Sequence, residues 1–194
     1  ALKNAKVWHL ALIYGNIQIS VYGLMFFLPS QVASLMGESL GFKQSLVAAI
    51  PWACSAFGVY YIPRIADRNP SRRVAISVMC MLAAAVGLAL SAFAGPVVAI
   101  GALCLSAVGF LSVQPIFWIF PPQLLTGPAL AAGIGFCTTM GAFCSFLAPL
   151  IRVEVDRAMD SSIAGLMALS VITIGCALLI GLLQKSQQAA KAYS

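Results

Sequence analysis

An all-α membrane protein with six transmembrane helices is the fold class this sequence predicts, and three observations predict it. Hydrophobic residues make up 61% of the 194-residue chain and charged residues only 8%, whereas a soluble domain carries about 25% charge. Six apolar segments follow one another with short breaks between them, and each matches the about 20 helical residues that cross a bilayer core. The segments do not alternate apolar and polar residues as the strands of a membrane barrel do. Helices are then the elements that satisfy the backbone in lipid.

The spans fall at residues 7–33, 44–62, 74–94, 97–119, 129–151 and 161–183, forming one bundle over 1–194, with 184–194 as a cytoplasmic tail. The breaks fall at 37–41, around 63–73, at Gly95-Pro96, at 121–128 and at 152–160. The polar Lys3-Asn4-Ala5-Lys6 opening runs straight into an apolar span and reads as a cut in a linker of a longer protein. Sidedness follows from the basic residues. With the first residue inside, the inner segments hold Lys3, Lys6, Arg64, Arg68, Arg72, Arg73, Lys185 and Lys191, eight of the eleven. Only Lys43, Arg152 and Arg157 lie outside, with four of the five acids, Glu38, Glu154, Asp156 and Asp160. That distribution obeys the positive-inside bias, and the inverted chain breaks it. The cluster Arg64, Asp67, Arg68, Arg72 and Arg73 is thus, first, a cytoplasmic anchor between the second and third helices.

The composition also excludes function classes. A net charge of +6 spread over short breaks forms no soluble basic face, so nucleic acid is not a partner. Cys54, Cys80, Cys104, Cys137, Cys144 and Cys176 all fall in apolar runs without a Cys-x-x-Cys pair and read as buried packing thiols. The one histidine, His9, sits at the first membrane edge. Nothing calls for a metal or a cofactor, and no nucleophile–base pair of an intramembrane enzyme is present.

A polar side chain at bilayer depth faces a partner or a water-filled cavity. The candidates are Asn16, Gln18 and Ser20 in the first helix, Gln114 in the fourth, and Thr138 and Thr139 in the fifth. Gln18 and Tyr22 are four apart and share a helix face, as do Gln114 and Trp118; Phe26 continues the first stripe. An amide beside an aromatic ring on two helices suits a hydroxylated acid, the amide binding oxygens and the ring covering a C–H face. For Asn16, Ser20, Thr138 and Thr139 the competing expectation is a bond to another helix or to the carbonyl one turn back. Pro115 and Pro149 remove backbone donors inside their helices. The small residues Ala83, Gly87 and Ser91, and Ala131 and Gly135, stand at the four-residue spacing that allows close helix contact. Phe26-Phe-Leu-Pro29 and Trp118-Ile-Phe-Pro121 form an internal echo at the ends of the first and fourth helices. No charged residue or histidine lies at the middle of any span.

The pattern Arg64-x-x-Asp67-Arg68 followed by Arg72-Arg73, between the second and third helices, resembles the cytoplasmic signature of the major facilitator superfamily, with Pro63 and Pro70 where glycines are usual. Tyr22-Gly-Leu-Met-Phe-Phe-Leu-Pro29, Ile50-Pro51-Trp52, Gln114-Pro-Ile-Phe-Trp118 and Ala129-Leu-Ala-Ala-Gly-Ile-Gly135 are similar to runs of its anion:cation symporter branch. The likeness is strongest to bacterial L-rhamnonate-type sugar-acid permeases. The branch often carries asparagine in the fifth helix where this chain has Thr138-Thr139 and then Ala142. The resemblance implies that the chain is the C-terminal six-helix bundle of a twelve-helix secondary transporter in a bacterial inner membrane. It implies a small organic anion as substrate, proton symport by alternating access, and a charge network of Arg64, Asp67, Arg68, Arg72 and Arg73 that holds the inner gate. The N-terminal half would be the partner, with lipid around both, and would supply every ionisable coupling group. The isolated bundle would self-associate through its first, second, fourth and fifth helices, mimicking the missing half. A six-helix channel subunit is the alternative, for which a charged mouth or polar filter ring would be the mark.

Overall fold

The structure is a computed structural model describing residues 5–36 and 41–192, with side chains other than those of Leu35, Ser162 and residues 184–192. Lys3, Glu38, Lys185, Lys191 and most of the 37–41 break therefore lie outside the described residues or side chains. The helices are α1 (Ala5–Met25), α2 (Leu28–Met36), α3 (Phe42–Arg68), α4 (Arg73–Phe93), α5 (Pro96–Phe117), α6 (Phe120–Leu124), α7 (Pro128–Ala158) and α8 (Ser162–Ala192). Five are long and apolar enough to cross a bilayer alone. The pair α1–α2, bent by 42°, brings the number to six when the two are taken as one broken span.

The bend has a covalent cause. Pro29 has no N–H, so the Met25 carbonyl loses its donor and the ring crowds the preceding turn. The chain instead closes Phe27 N–H onto the Leu24 carbonyl at 3.1 Å before α2 begins. The same arrangement recurs at Pro121. There the Ile119 N–H closes onto Ile116 at 3.2 Å and α6 begins at Phe120. The two aromatic–proline runs thus mark two equivalent breaks, one at the outer end of the first span and one at the inner end of the fourth.

Two breaks are shorter than the sequence suggests. α3 continues past residue 62 to Arg68, so Arg64, Asp67 and Arg68 stand on a helix end rather than in a loop. Only Asn69 and a 3-10 turn, Pro70–Arg72, separate it from α4. α7 continues past residue 151 to Ala158, so Arg152 is helical and 2% exposed, not a residue of an outer loop. A helical backbone costs nothing at a membrane edge, because its polar groups stay paired in lipid and in water alike. α8 likewise remains helical through Ala192, beyond the expected start of the tail at 184.

The helices form two groups. α3 and α4 pack on α5, and α7 and α8 pack on α1. The groups meet where α4 lies on α8 and α1 touches α5. α2 crosses over, leaving the α1 group to pack on α3 and α5. The α4–α5 seam is the closest. A Cβ on Gly87 would strike Ser106, and one on Gly109 would strike Ala84. The Ser106 hydroxyl lies 3.0 Å from the Ala84 carbonyl across the seam. Further polar ties are Ser170 Oγ to the Ala85 carbonyl at 2.9 Å, Thr173 Oγ1 with Ser20 Oγ at 2.9 Å, and His9 Nε2 at 2.9 Å from the Leu179 carbonyl. Cys80, Cys137 and Cys176 are buried, while Cys54, Cys104 and Cys144 are half-buried, so the thiols are not all core residues; all six are free.

Burial is uneven. In the apolar stretches of α4, α5 and α8, 44–50% of residues are buried, but in α3 and α7 only 17%. Gly135 on α7 has open space around it, so the Ala131–Gly135 spacing is not used for packing within the chain. Gly109→Leu is therefore expected to destabilise the bundle by about 1–3 kcal/mol through overpacking, and Gly135→Leu not to lower its stability. Thermal unfolding of the purified chain in detergent measures both.

Candidate functional site

The sequence-derived site residues divide into four sets. The first gathers where α1, α5 and α7 meet. Gln18 is 9% exposed, on the side of α1 that packs on α7. A Cβ on Gly141 would come within 3.3 Å of the Gln18 Cγ and would also strike the Tyr14 ring. The glycine on α7 thus leaves the space that both side chains occupy. Tyr14 stands four residues before Gln18 on the same stripe. Its ring stacks on Phe117 at 5.1 Å and meets Trp118 at 4.8 Å. Trp118 is half-buried and lies four residues after half-buried Gln114 on α5. An amide, a phenol and an indole from two helices therefore share one neighbourhood. The Gln18 Oε1 is buried and accepts no hydrogen bond. A buried acceptor left unpaired costs about 1–3 kcal/mol, so it marks a place for a donor. No hydrogen bond joins Gln18 to Gln114 among the described residues.

Tyr22 belongs to a second place, one turn further out. It is half-buried, its ring 6.0 Å from that of Phe26. The two line a cavity of about 250 Å³ with Ser145, Phe146, Pro149 and Leu150, at the outer end of the α1–α7 seam. This cavity is almost wholly apolar.

The remaining candidates bond within their own helices. The Asn16 side chain donates to the Leu12 carbonyl at 2.8 Å. Thr138 Oγ1 lies 2.9 Å from the Gly135 carbonyl, as does Thr139 Oγ1. Ser20 is fully buried and turned to α8. Both threonines remain on the exposed surface of α7, so they contribute apolar methyl groups there more than free hydroxyls.

At the inner end, Asp67 accepts from Arg73 Nη2 at 3.3 Å, and Arg73 Nε donates to the Ala66 carbonyl at 3.3 Å. The Arg64 guanidinium lies 3.7 Å above the Tyr60 ring. Arg68 and Arg72 are exposed. Within this cluster of five, the one ion pair formed among the described residues is Asp67–Arg73. Asp67, with its side chain 58% exposed, is open to a further cation.

Three residues of these surroundings were not singled out by sequence reasoning. Tyr14 had a signal, the i−4 relation to Gln18. Gly141 had only its type, since glycine in an apolar helix fits packing as well. Arg152 was assigned to a loop because of its charge. Its guanidinium donates to the Gly23 carbonyl at 3.2 Å and to Gln31 Oε1 at 2.9 Å, with Asp156 at 3.7 Å. No group of three His, Cys, Asp or Glu residues is placed to hold a metal ion among the described residues.

Comparison with known proteins then gives the setting. No family model matches the chain. It is 47% identical over 191 residues to the inner membrane transport protein RhmT of Escherichia coli (strain K12), covering 98% of this chain and 44% of that protein. A quinolone resistance transporter of Acinetobacter baumannii is 30% identical over 174 residues, with 90% and 40% covered. A candidate tartrate transporter of Agrobacterium vitis is 29% identical over 186 residues, with 95% and 41% covered. The chain spans less than half the length of these curated relatives.

Surface ion pairs contribute little to folding, about 0–1 kcal/mol. Asp67→Asn is accordingly expected to leave thermal stability in detergent within that margin. A loss well beyond it would mean that the Asp67–Arg73 pair is a folding element.

Proposed function

We propose, on the premise that this chain belongs to the major facilitator superfamily of multi-pass membrane transporters and is related to RhmT, that it is the C-terminal half of a secondary carrier in a bacterial inner membrane. The carrier moves a small organic anion by alternating access, with proton symport. The observation that carries the reading is the uneven burial. α3 and α7 each carry a long apolar stretch of which only 17% is buried. A second six-helix bundle, the N-terminal half, would cover them. Without it, the same faces would drive self-association of the isolated chain.

The Gln18 neighbourhood supports this substrate class. An orphaned amide oxygen accepts from a donor, and a hydroxyl is the donor that a small acid can offer. Tyr14 and Trp118 would cover the apolar face of the same molecule. The description of one relative as a candidate tartrate transporter is in keeping with a hydroxylated acid. At the inner end, Asp67 and the arginines 64, 68, 72 and 73 would hold the closed gate against the other half.

Two measurements test the proposal. In proteoliposomes the full-length carrier should give saturable uptake and counterflow, and a linear, non-saturating flux would identify a channel instead. Gln18→Ala and Gln114→Ala should each weaken substrate binding by about fivefold to tenfold, the worth of one hydrogen bond. Proton coupling should remain intact, because no ionisable group is removed. Normal binding with lost coupling would overturn the assignment of these glutamines.

A further inference from the structure

The break at Pro29 leaves a debt that one side chain settles. In an unbroken α-helix the Gly23 carbonyl would accept from the Phe27 N–H. That N–H has turned to Leu24 instead. Arg152 Nη1 donates to the orphaned Gly23 carbonyl at 3.2 Å. Its Nη2 donates across the break to Gln31 Oε1, on the first turns of α2, at 2.9 Å. Phe27, at the break itself, lies under the guanidinium with its ring centre 4.4 Å from Cζ. One planar group therefore holds the last turn of α1, the break and the start of α2 at once.

The group is an unusual one to bury. Arg152 is 2% exposed, and its Nε has no hydrogen-bond partner. Asp156, at 3.7 Å, is its ion-pair partner, and that carboxylate is shared: its Oδ1 accepts from the Gly165 N–H of α8 at 2.9 Å. Breaking such a pair costs more than forming it returns, so folding alone gives no strong reason for a guanidinium here. A neutral donor could have capped Gly23. What the planar fork adds is two donors in fixed relation, and these fix the angle between two helix segments. That angle matters because α1 packs on α7 and α8, whereas α2 packs on α3 and α5. α2 is thus the piece of the first span that spans the two helix groups at the outer face.

We infer that Arg152 is a positioning residue for transport: by bridging the α1–α2 break it sets the angle of α2, and with it the opening of the outer vestibule. The inference rests on the carrier reading above. Gln31 is the point at which to vary the bridge, because it is half-buried and its replacement leaves the guanidinium capped on Gly23. Gln31→Leu removes the acceptor on α2. Gln31→Glu replaces it with a carboxylate, a stronger partner for guanidinium. Arg152→Lys leaves one ammonium that cannot reach both acceptors.

The experiment uses the full-length carrier with Ser30→Cys, at an exposed position of α2, labelled from outside by a membrane-impermeant maleimide, with the parent lacking Ser30→Cys as background. Gln31→Leu and Arg152→Lys should speed labelling and Gln31→Glu should slow it, each by about fivefold, the factor that one hydrogen bond carries. Net uptake in Gln31→Glu should fall through maximal rate with KM nearly unchanged, since Gln31 is remote from the Gln18 neighbourhood. Labelling that moves the same way in both Gln31 variants, or in neither, overturns the inference and leaves Arg152 a folding staple. Absence of saturable uptake in the parent would instead sink the carrier reading, and the labelling pair would still decide whether the bridge sets the angle of α2.

Discussion

Proline inside a lipid-embedded helix is the constraint around which this bundle is arranged. In water, the carbonyls freed by a proline would be solvated. In the bilayer they must find donors in the protein or stay unpaired at a cost of several kcal/mol. Pro51, Pro63, Pro115 and Pro149 lie within continuous helices, but Pro29 and Pro121 end theirs. At both breaks the chain tightens to a three-residue hydrogen bond and restarts one residue before the proline. Aromatic residues crowd each break, Phe26 and Phe27 at one, Trp118 and Phe120 at the other. Because α1 runs outward and α5 inward, equivalent breaks fall on opposite faces of the membrane. That is the relation expected of inverted three-helix repeats.

The polar side chains obey the same accounting. Ser20, Ser77, Ser145, Thr138 and Thr139 all lie within 3.0 Å of a carbonyl three or four residues back. Ser106, Ser170 and Thr173 reach another helix as well. A hydroxyl can usually retreat to its own helix, although the buried Ser112 Oγ makes no hydrogen bond, so its presence in a span says little about a cavity. A glutamine is harder to satisfy this way. Its longer side chain carries an acceptor and two donors, and at Gln18 the acceptor remains unused. The difference separates Gln18 from Asn16 and the two threonines as a candidate ligand.

This also explains what could be read from the sequence. Hydropathy located the five long apolar helices and the bent α1–α2 pair, because lipid demands long apolar segments whose backbone is paired internally. Charge distribution gave the sidedness for a similar reason. The ends of α3 and α7 were placed wrongly, since a charged residue stops a hydropathy segment but not a helix. Residues 63–68 and 152–158 continue their helices for six and seven residues past the apolar stretch. The i,i+4 relation links Gln18 with Tyr22 and Gln114 with Trp118, but Tyr22 lies apart from Gln18, against the outer apolar cavity. What brings Gln18 and Trp118 into one neighbourhood is Tyr14 across Gly141, and that depends on which helices pack together. Helix periodicity carries no information on pairing between spans, so neither residue could be given a partner in advance.

The buried guanidinium sharpens, rather than weakens, the argument from missing charge. An arginine near an anion carrier's vestibule invites assignment as the carboxylate ligand. Here, however, Nη1 is bonded to Gly23, Nη2 to Gln31, and Asp156 stands beside Nε. A substrate carboxylate would have to displace protein acceptors and compete with a carboxylate already in place. The Phe27 ring covers one face of the group as well. Arg152 is thus committed to the helix break, and the wall made by Tyr14, Gln18 and Trp118 stays without a formal charge. A charged wall facing a moving anion would hold it in both access states. On the proposed carrier reading, a neutral one, opposite charged groups on a second bundle, would let the strength of binding change as the two halves rock. On that reading, this chain would supply shape and hydrogen bonds, and titration would fall to the other half.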